Sequence, residues 1–321
     1  DGRMELSIDL RGLRFPVLVD PDWSPTGDMA YGRFYHGANV LPDGSVLATG
    51  GCSASVCSGD LTIPGCRTAV ATAEVLDLAT RTWSRAADDP QSRFFHVSQS
   101  LRDGSVLVAG GCLDSECNSA SDNTQLFAVR ERAFSAGPAL SEARAGIASA
   151  LLRDGTVLLA GGAAGATGST VVERYDPATR ALRRVASMST GRGRAAVTVL
   201  NDGRVLVVGG CVGMRCERVL DSAEVYDPAT DRWTTTGTMS TARGGHFAVT
   251  LHDGRVLVGG GCADATCTTY LSSTELLDPR TVRFTAGPAM LRPRVGPRAV
   301  PLPNGTVMVS QRIPRSRRSV S

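Results

Sequence analysis

His246 to Gly261 reads HFAVTLHDGRVLVGGG, and this stretch decides the fold. Two apolar runs, HFAVTL from His246 and RVLVGG from Arg255, are joined by His252, Asp253 and Gly254. Asp-Gly between such runs is the strongest short signal of a β-hairpin, and a type I′ turn with positive φ at both central residues is expected. The string recurs. It reads DGSVLATGG from Asp43, DGSVLVAGG from Asp103, DGTVLLAGG from Asp154 and DGRVLVVGG from Asp202, then decays to NGTVMVSQ from Asn304. The intervals are 60, 51, 48, 51 and 51 residues, so the chain is built from copies of one unit of about 50 residues.

Each unit parses into four strands. After the hairpin comes a loop, then a third strand such as SAEVYDP around Glu224, then a turn and a fourth strand such as RWTTTG from Arg232. Trp83, Phe134, Trp233 and Phe284 share one position in the fourth strand, with Leu182 in the remaining copy, and a buried aromatic between units is expected there. The two ends are complementary. Val17 to Gly27, VLVDPDWSPTG, matches the third and fourth strands, while Arg298 to Met308 matches the first two. Together they make a sixth unit, so the N-terminal strands should pair with the C-terminal ones and close a ring, which removes exposed strand edges. Residues 1–14, with the alternating MELSIDL from Met4, are expected as a lead-in strand or linker, residues 15–310 as the ring, and residues 311–321 as a basic tail.

The double glycine, the Glu-x-Tyr-Asp-Pro variants and the aromatic resemble the repeats of kelch proteins over nearly the whole chain. The resemblance implies an all-β fold, a six-bladed kelch β-propeller. It carries the fold and is almost silent on function.

Composition excludes several classes. A formal net charge of +3 is too small to argue for nucleic acid or an anionic membrane surface. No stretch is long and apolar enough for membrane insertion; Val157 to Val172 comes nearest and is broken by glycines. All 34 basic residues are arginine, which points to a GC-rich bacterial genome. Eight of the nine cysteines fall into four C-x4-C pairs, Cys52/Cys57, Cys112/Cys117, Cys211/Cys216 and Cys262/Cys267. Zinc sites favour C-x2-C pairs brought together in twos, so local disulfides suit this spacing better than metal or free thiols, and a secreted or periplasmic protein is expected. Cys66 is left over.

All four pairs follow the double glycine, which places them in loops between second and third strands, on one face of the ring. Closing so short a loop contributes only about 2 kcal/mol by chain entropy, so the bridges chiefly stiffen that face. The same face receives the connections between units. Arg33, Arg93, Arg144, Arg192, Arg243 and Arg294 each precede the hairpin Asp or Asn by ten residues. Two roles are open to them: ties to carbonyls and acids that hold the units together, or a positive collar for an anionic ligand. In kelch propellers that bind acidic peptides, resembling arginines take the second role. The loops around them are rich in Ser, Thr, Gly and Ala, so the pore mouth is expected to be open, with Arg33, Arg93, Arg192 and Arg243 partly facing solvent and Arg194 adding to the same face.

His36, His96 and His246 stand three residues after such an arginine. They are either packed, hydrogen-bonded histidines or a metal or acid–base site at the axis. Tyr35 and His36, in RFYHGANVLPDGSVLATGG, resemble the copper-binding Tyr-His segment of galactose-oxidase propellers, but the cross-linked cysteine, the second Tyr-His and the following domain of that family have no counterpart. A six-bladed sugar mutarotase is a second enzymatic possibility. Glu74, Glu173, Glu224 and Glu275 belong to the repeat consensus and are expected to be structural. With no nucleophile–base pair, P-loop, zinc-enzyme motif or dinucleotide fingerprint, neither catalysis nor a metal or cofactor is expected. The function expected is a binding module for a protein, peptide or glycan, with an enzyme at the same pore mouth as the alternative.

Overall fold

The computed structural model describes residues 26–53, 68–302 and 305–310. Among them there is no helix. Five four-stranded antiparallel sheets follow one another, and a two-stranded hairpin comes last. The first sheet runs Gly37–Val40, Val46–Thr49, Ala73–Asp77 and Thr82–Arg85. The second is Val97–Ser100, Val106–Ala109, Thr124–Ala128 and Ala133–Ala136, and the third Ala148–Leu151, Val157–Ala160, Val172–Asp176 and Ala181–Arg184. The fourth is Ala196–Val199, Val205–Val208, Ala223–Asp227 and Arg232–Thr235, and the fifth Phe247–Thr250, Val256–Gly259, Thr274–Asp278 and Arg283–Ala286. The hairpin pairs Arg298–Pro301 with Val307–Ser310.

Strands in each sheet neighbour one another in chain order. First strands of successive sheets touch, from the first sheet round to the last hairpin. Fourth strands are largely exposed. The first strands therefore line the axis and the fourth form the rim. Second strands are the most apolar, VLVA, VLLA and VLVV, because both their faces are covered. The core lies between neighbouring sheets. Leu158 and Ala160 of the third sheet pack on Val205, Val207 and Tyr226 of the fourth, and Leu206 and Val208 of the fourth pack on Val256 and Val258 of the fifth. The shared fourth-strand aromatics lie only half-buried at these seams. Trp233 pairs with Tyr226 and donates its indole N–H to Ala186 O of the preceding sheet at 2.7 Å.

The hairpin turn differs from the type I′ expected. Only the glycine is left-handed, Gly44 at φ 82° and Gly254 at φ 87°; the aspartate before it is not. Leu41 N donates to Ser45 O and Gly44 N donates to Leu41 O, so three residues, not two, span the turn. This is a type I turn followed by a left-handed residue. Asp43 Oδ1 accepts from Ser45 N at 2.9 Å, which accounts for the aspartate without any need for positive φ.

Val17 to residue 25, the segment expected to complete the ring, lies outside the described residues. Where the chain enters them, Gly27 N donates to Arg81 O at 2.7 Å. Ala87 N to Arg132 O and Gly237 N to Val282 O are the same bond between the end of one sheet and the next. Gly27 thus takes the place of a residue that ends a preceding sheet. Deleting residues 1–27 is expected to lower the melting temperature of the whole chain in one cooperative transition, as loss of ring closure requires. An unchanged melting temperature would show that the N-terminal segment closes nothing.

Candidate ligand-binding face

The six repeated arginines are buried, with Arg93, Arg144 and Arg243 at 0% exposure and Arg33 at 9%. The expectation that Arg33, Arg93, Arg192 and Arg243 face solvent is therefore corrected. The guanidiniums of Arg33, Arg93, Arg144, Arg192 and Arg243 each turn into their own sheet. Arg192 Nη1 donates to Gly209 O and Ser222 O, both at 2.9 Å, and Nη2 donates to Glu224 Oε1 at 3.0 Å. Glu224 also accepts from Ser189 N and Thr190 N, so one carboxylate holds the arginine and the connection leading to it. Arg33 with Glu74, Arg144 with Glu173 and Arg243 with Glu275 repeat the pairing. These are the consensus glutamates, and their role is structural.

The second sheet solves the problem differently. Gln125 stands where the others have glutamate, and Arg93 pairs instead with Asp89, four residues before it, at 3.0 Å. Burial raises the Asp89 carboxyl and Arg93 opposes that rise. Arg294, in the connection before the last hairpin, is buried with Nη1 unpaired; burial, and then Arg292, disfavour its charge.

The histidines do not meet at the axis. Each stands where other copies have Ile147, Ala195 or Pro297, wedged against the double glycines. A Cβ on Gly50 would lie 2.8 Å from His96 Cε1, and one on Gly51 2.8 Å from His36 Cβ. Among the described residues no three His, Cys, Asp or Glu side chains are placed to hold a metal ion. His96 Nε2 lies 3.2 Å from Thr49 Oγ1, while both ring nitrogens of His246 are buried and unpaired. Burial, and then Arg243, push His246 down to about 3. Its neutral form is the folded one, so its contribution is intact above the unfolded value near 6.5 and is lost as pH falls from there towards 3. His246→Ile, which copies Ile147, is expected to flatten the acid limb of the stability–pH curve by up to about 1.4 kcal/mol per pH unit over that range. An identical acid limb in urea titrations of the variant would contradict this.

The face of the paired cysteines is covered, not open. Cys112–Cys117, Cys211–Cys216 and Cys262–Cys267 are disulfides with Cα separations of 4.9, 4.8 and 5.0 Å. Cys52 is also disulfide-bonded, and Cys57 and Cys66 lie outside the described residues. The first cysteine of each pair bridges to the residue after the buried arginine, as Phe94 to Cys112 and Gly193 to Cys211. The bridged loops are thus fixed to the ring at their base. Above it Cys52, Cys112, Cys117, Phe94 and Met214 form a second apolar cluster, with Phe34, Tyr35 and Phe95 against it. The loops also reach each other. Met214 N donates to Gly165 O at 2.8 Å, and Arg215 lies 3.8 Å from Glu116, two sheets away.

Tyr35, Phe95 and Arg194 lie at the centre of this cover. The Tyr35 and Phe95 rings are 4.0 Å apart, and the Arg194 guanidinium sits 4.6 Å from the Phe95 centroid. Burial raises the Tyr35 phenol, Arg194 opposes that, and Tyr270 adds to it. Of the expected site residues, Tyr35 and Arg194 come together here. Met214 joins them, its carbonyl accepting from Arg194 Nη2 at 3.0 Å, and was not anticipated, because no other copy has a methionine at that place in the loop.

A family model described as the Kelch motif matches residues 192–240. Among solved structures, one titled "Structure of YjhT" superposes with a TM-score of 0.65 over 84% of this chain and 88% of that one, at 14% identity. No curated protein matches the chain. The chain is a kelch-repeat β-propeller protein. That fold serves as a binding or interaction module. The three disulfides fit an oxidising, non-cytoplasmic setting, and no described helix is long and apolar enough to cross a membrane.

Proposed function

We propose that the chain is an extracellular or periplasmic binding module that recognises a protein, peptide or glycan on its disulfide-braced face. The convergence of bridged loops over the axis carries the reading. Loops from separate sheets are pinned by disulfides, share an apolar cluster and join through Met214 and Arg215. A surface fixed in advance loses little entropy on binding, and that is what recognition needs. Exposed groups stand on this base: Tyr270 at 37% exposure, and the side chains of Arg215 at 63% and Glu116 at 53%.

The test begins with glycan and peptide arrays probed with the full chain. Arg215→Ala and Tyr270→Ala are then expected to weaken the best ligand by about tenfold or more. Arg204→Ala, on the opposite, Asp-Gly face, should leave it unchanged. Weakening by Arg204→Ala alone would move the binding surface to that other face.

A further inference from the structure

Near-identical repeats act as each other's control, so a copy that departs from the rest answers a separate demand. The third sheet departs at one cross-strand pair, where Arg174 of its third strand stands opposite Arg183 of its fourth. The same pair is Val75 and Ser84 in the first sheet, Leu126 and Ser135 in the second, Val225 and Thr234 in the fourth and Leu276 and Thr285 in the fifth. An apolar–hydroxyl pair has become two arginines, and like charges directly opposite are destabilising. A further change lies at the next pair but one. Ala181 faces Asp176, where Arg232 faces Asp227 in the fourth sheet and Arg283 faces Asp278 in the fifth.

These positions line a cavity of about 240 Å³, bounded by Thr156, Arg174, Asp176, Thr179, Ala181 and Arg183. That is below the roughly 300–1,000 Å³ of sites for drug-sized molecules and suits a single ring. Asp176 and Thr179 belong to the turn between third and fourth strands, and Thr156 follows the Asp-Gly turn, so the cavity lies away from the bridged loops.

The arginine charges are already answered. Arg174 Nη2 pairs with Asp154, and Nε donates to Thr156 Oγ1 at 2.9 Å. Asp231 of the fourth sheet stands near both guanidiniums, its carboxyl held low by the Ala186 amide, by the Tyr226 hydroxyl and then by Arg183 and Arg174. What remains is a set of hydrogen-bonding groups. Asp176 uses only Oδ1, which accepts from Ala178 N at 2.9 Å. In the fourth sheet Thr230 Oγ1 donates to Asp227 Oδ2 at 3.0 Å, a bond that Thr179 and Asp176 do not make. Among the described residues the Arg183 guanidinium, the Thr179 hydroxyl and Asp176 Oδ2 have no hydrogen-bond or ion-pair partner. An oxyanion in this cavity meets Asp176, and a cation meets two guanidiniums. A neutral, hydroxyl-rich ligand meets neither penalty, because a hydroxyl both donates and accepts and so satisfies a carboxylate and a guanidinium side by side.

We propose that this cavity binds one neutral sugar ring, with adjacent hydroxyls bridging Asp176 Oδ2 and the Arg183 guanidinium, and Thr179 completing the set. The site is separate from the disulfide-braced face and does not depend on it. A free monosaccharide and the end residue of a longer glycan present the same ring, and the test separates them.

The full chain is titrated with the methyl glycosides of glucose, galactose and mannose, with maltose, lactose and mannobiose, and with sodium sulfate, and binding is followed by ligand-observed NMR. Saturable binding of at least one methyl glycoside is expected. Tighter binding of the disaccharide ending in that sugar marks a glycan end; equal or weaker binding marks a free sugar. Arg183→Ser, which copies Ser84 and Ser135, should weaken binding about tenfold or more. Ala181→Arg, which copies Arg232 and Arg283, should fill the cavity and abolish it. Both install residues that other sheets carry at the same position, so thermal melts should match the parent; if Ala181→Arg melts early, Arg183→Ser decides. No saturable binding of any neutral sugar overturns the proposal, and so does binding that a folded variant of either kind leaves unchanged. Sulfate binding that Arg183→Ser removes, in place of sugar binding, shows an oxyanion site and overturns it too. If only Arg215→Ala weakens the sugar, it is held on the disulfide-braced face and the cavity is not its site.

Discussion

Replacing Glu224 with alanine is expected to lower the unfolding free energy by about 3–5 kcal/mol, because it leaves the guanidinium of Arg192 buried without its counter-charge. Arg192 is 1% exposed and Glu224 also 1%. The loss is larger than an exposed pair would give, since both groups are shielded from bulk water and the guanidinium loses its counter-charge. Two connection amides, Ser189 N and Thr190 N, lose their acceptor at the same time. The second sheet supplies a built-in control. There Asp89 performs the task from the connection, and Gln125 occupies the glutamate position. Asp89→Leu, which copies Leu140 in the next connection, should therefore destabilise to a similar degree. Adding Gln125→Glu to it should restore most of the loss, because the double variant recreates the pairing of the neighbouring sheets. Urea unfolding of the four proteins measures this. A cost below about 1 kcal/mol for Glu224→Ala, typical of surface pairs, would show that the carboxylate does not hold the connection. Failure of Gln125→Glu to rescue would show that the two arrangements are not equivalent.

The succession of four-stranded β-sheets was legible because its signal is repeated. Asp-Gly, an apolar second strand and a double glycine recur at near-constant spacing, so each copy reinforces the reading of the others. The turn type was misassigned for a related reason. Asp-Gly between strands fits both a two-residue and a three-residue turn, and only the Leu41 to Ser45 bond distinguishes them. The arginines were found by spacing, but spacing fixes which residues share a position and not which way a side chain points. Their glutamate partners lie 29 to 41 residues further on, as Arg144 to Glu173 and Arg33 to Glu74. The exchange of Gln125 with Asp89 was visible in the sequence as two departures in one copy, and would have marked the pairing. The axial stack was half legible. Arg194 and Tyr35 stand in one column, but Met214 meets Arg194 from a loop whose sequence differs from copy to copy.

Gly209→Ala is the other substitution with a large expected effect, and it tests why the double glycine is needed. At φ 59° an alanine is already strained. Its Cβ would also lie 2.6 Å from Arg243 O and 2.6 Å from His246 Cε1, both contributed by the next sheet. The oxygen is not free to move away. Arg243 O accepts from Gly210 N at 3.0 Å, the bond that joins one sheet's double glycine to its neighbour. Relieving the clash means parting two sheets whose apolar faces are packed at Val208, Val256 and Val258. A loss of about 3 kcal/mol or more is expected, the left-handed backbone accounting for roughly 1–2 kcal/mol and the displaced seam for the rest. Gly254→Ala separates the two terms. Its φ is 87°, but a Cβ there meets only Asn201 Nδ2, at 3.4 Å, on a flexible side chain. It should lose only the backbone part. Equal losses for the two variants in urea unfolding would mean that positive φ alone explains the glycine, and that the close approach of neighbouring sheets adds nothing. A greater loss for Gly209→Ala, together with faster hydrogen exchange at the amides of Gly210 and Cys211, would place the cost at the seam, where the connection enters the innermost strand and the bridged loop departs towards the binding face.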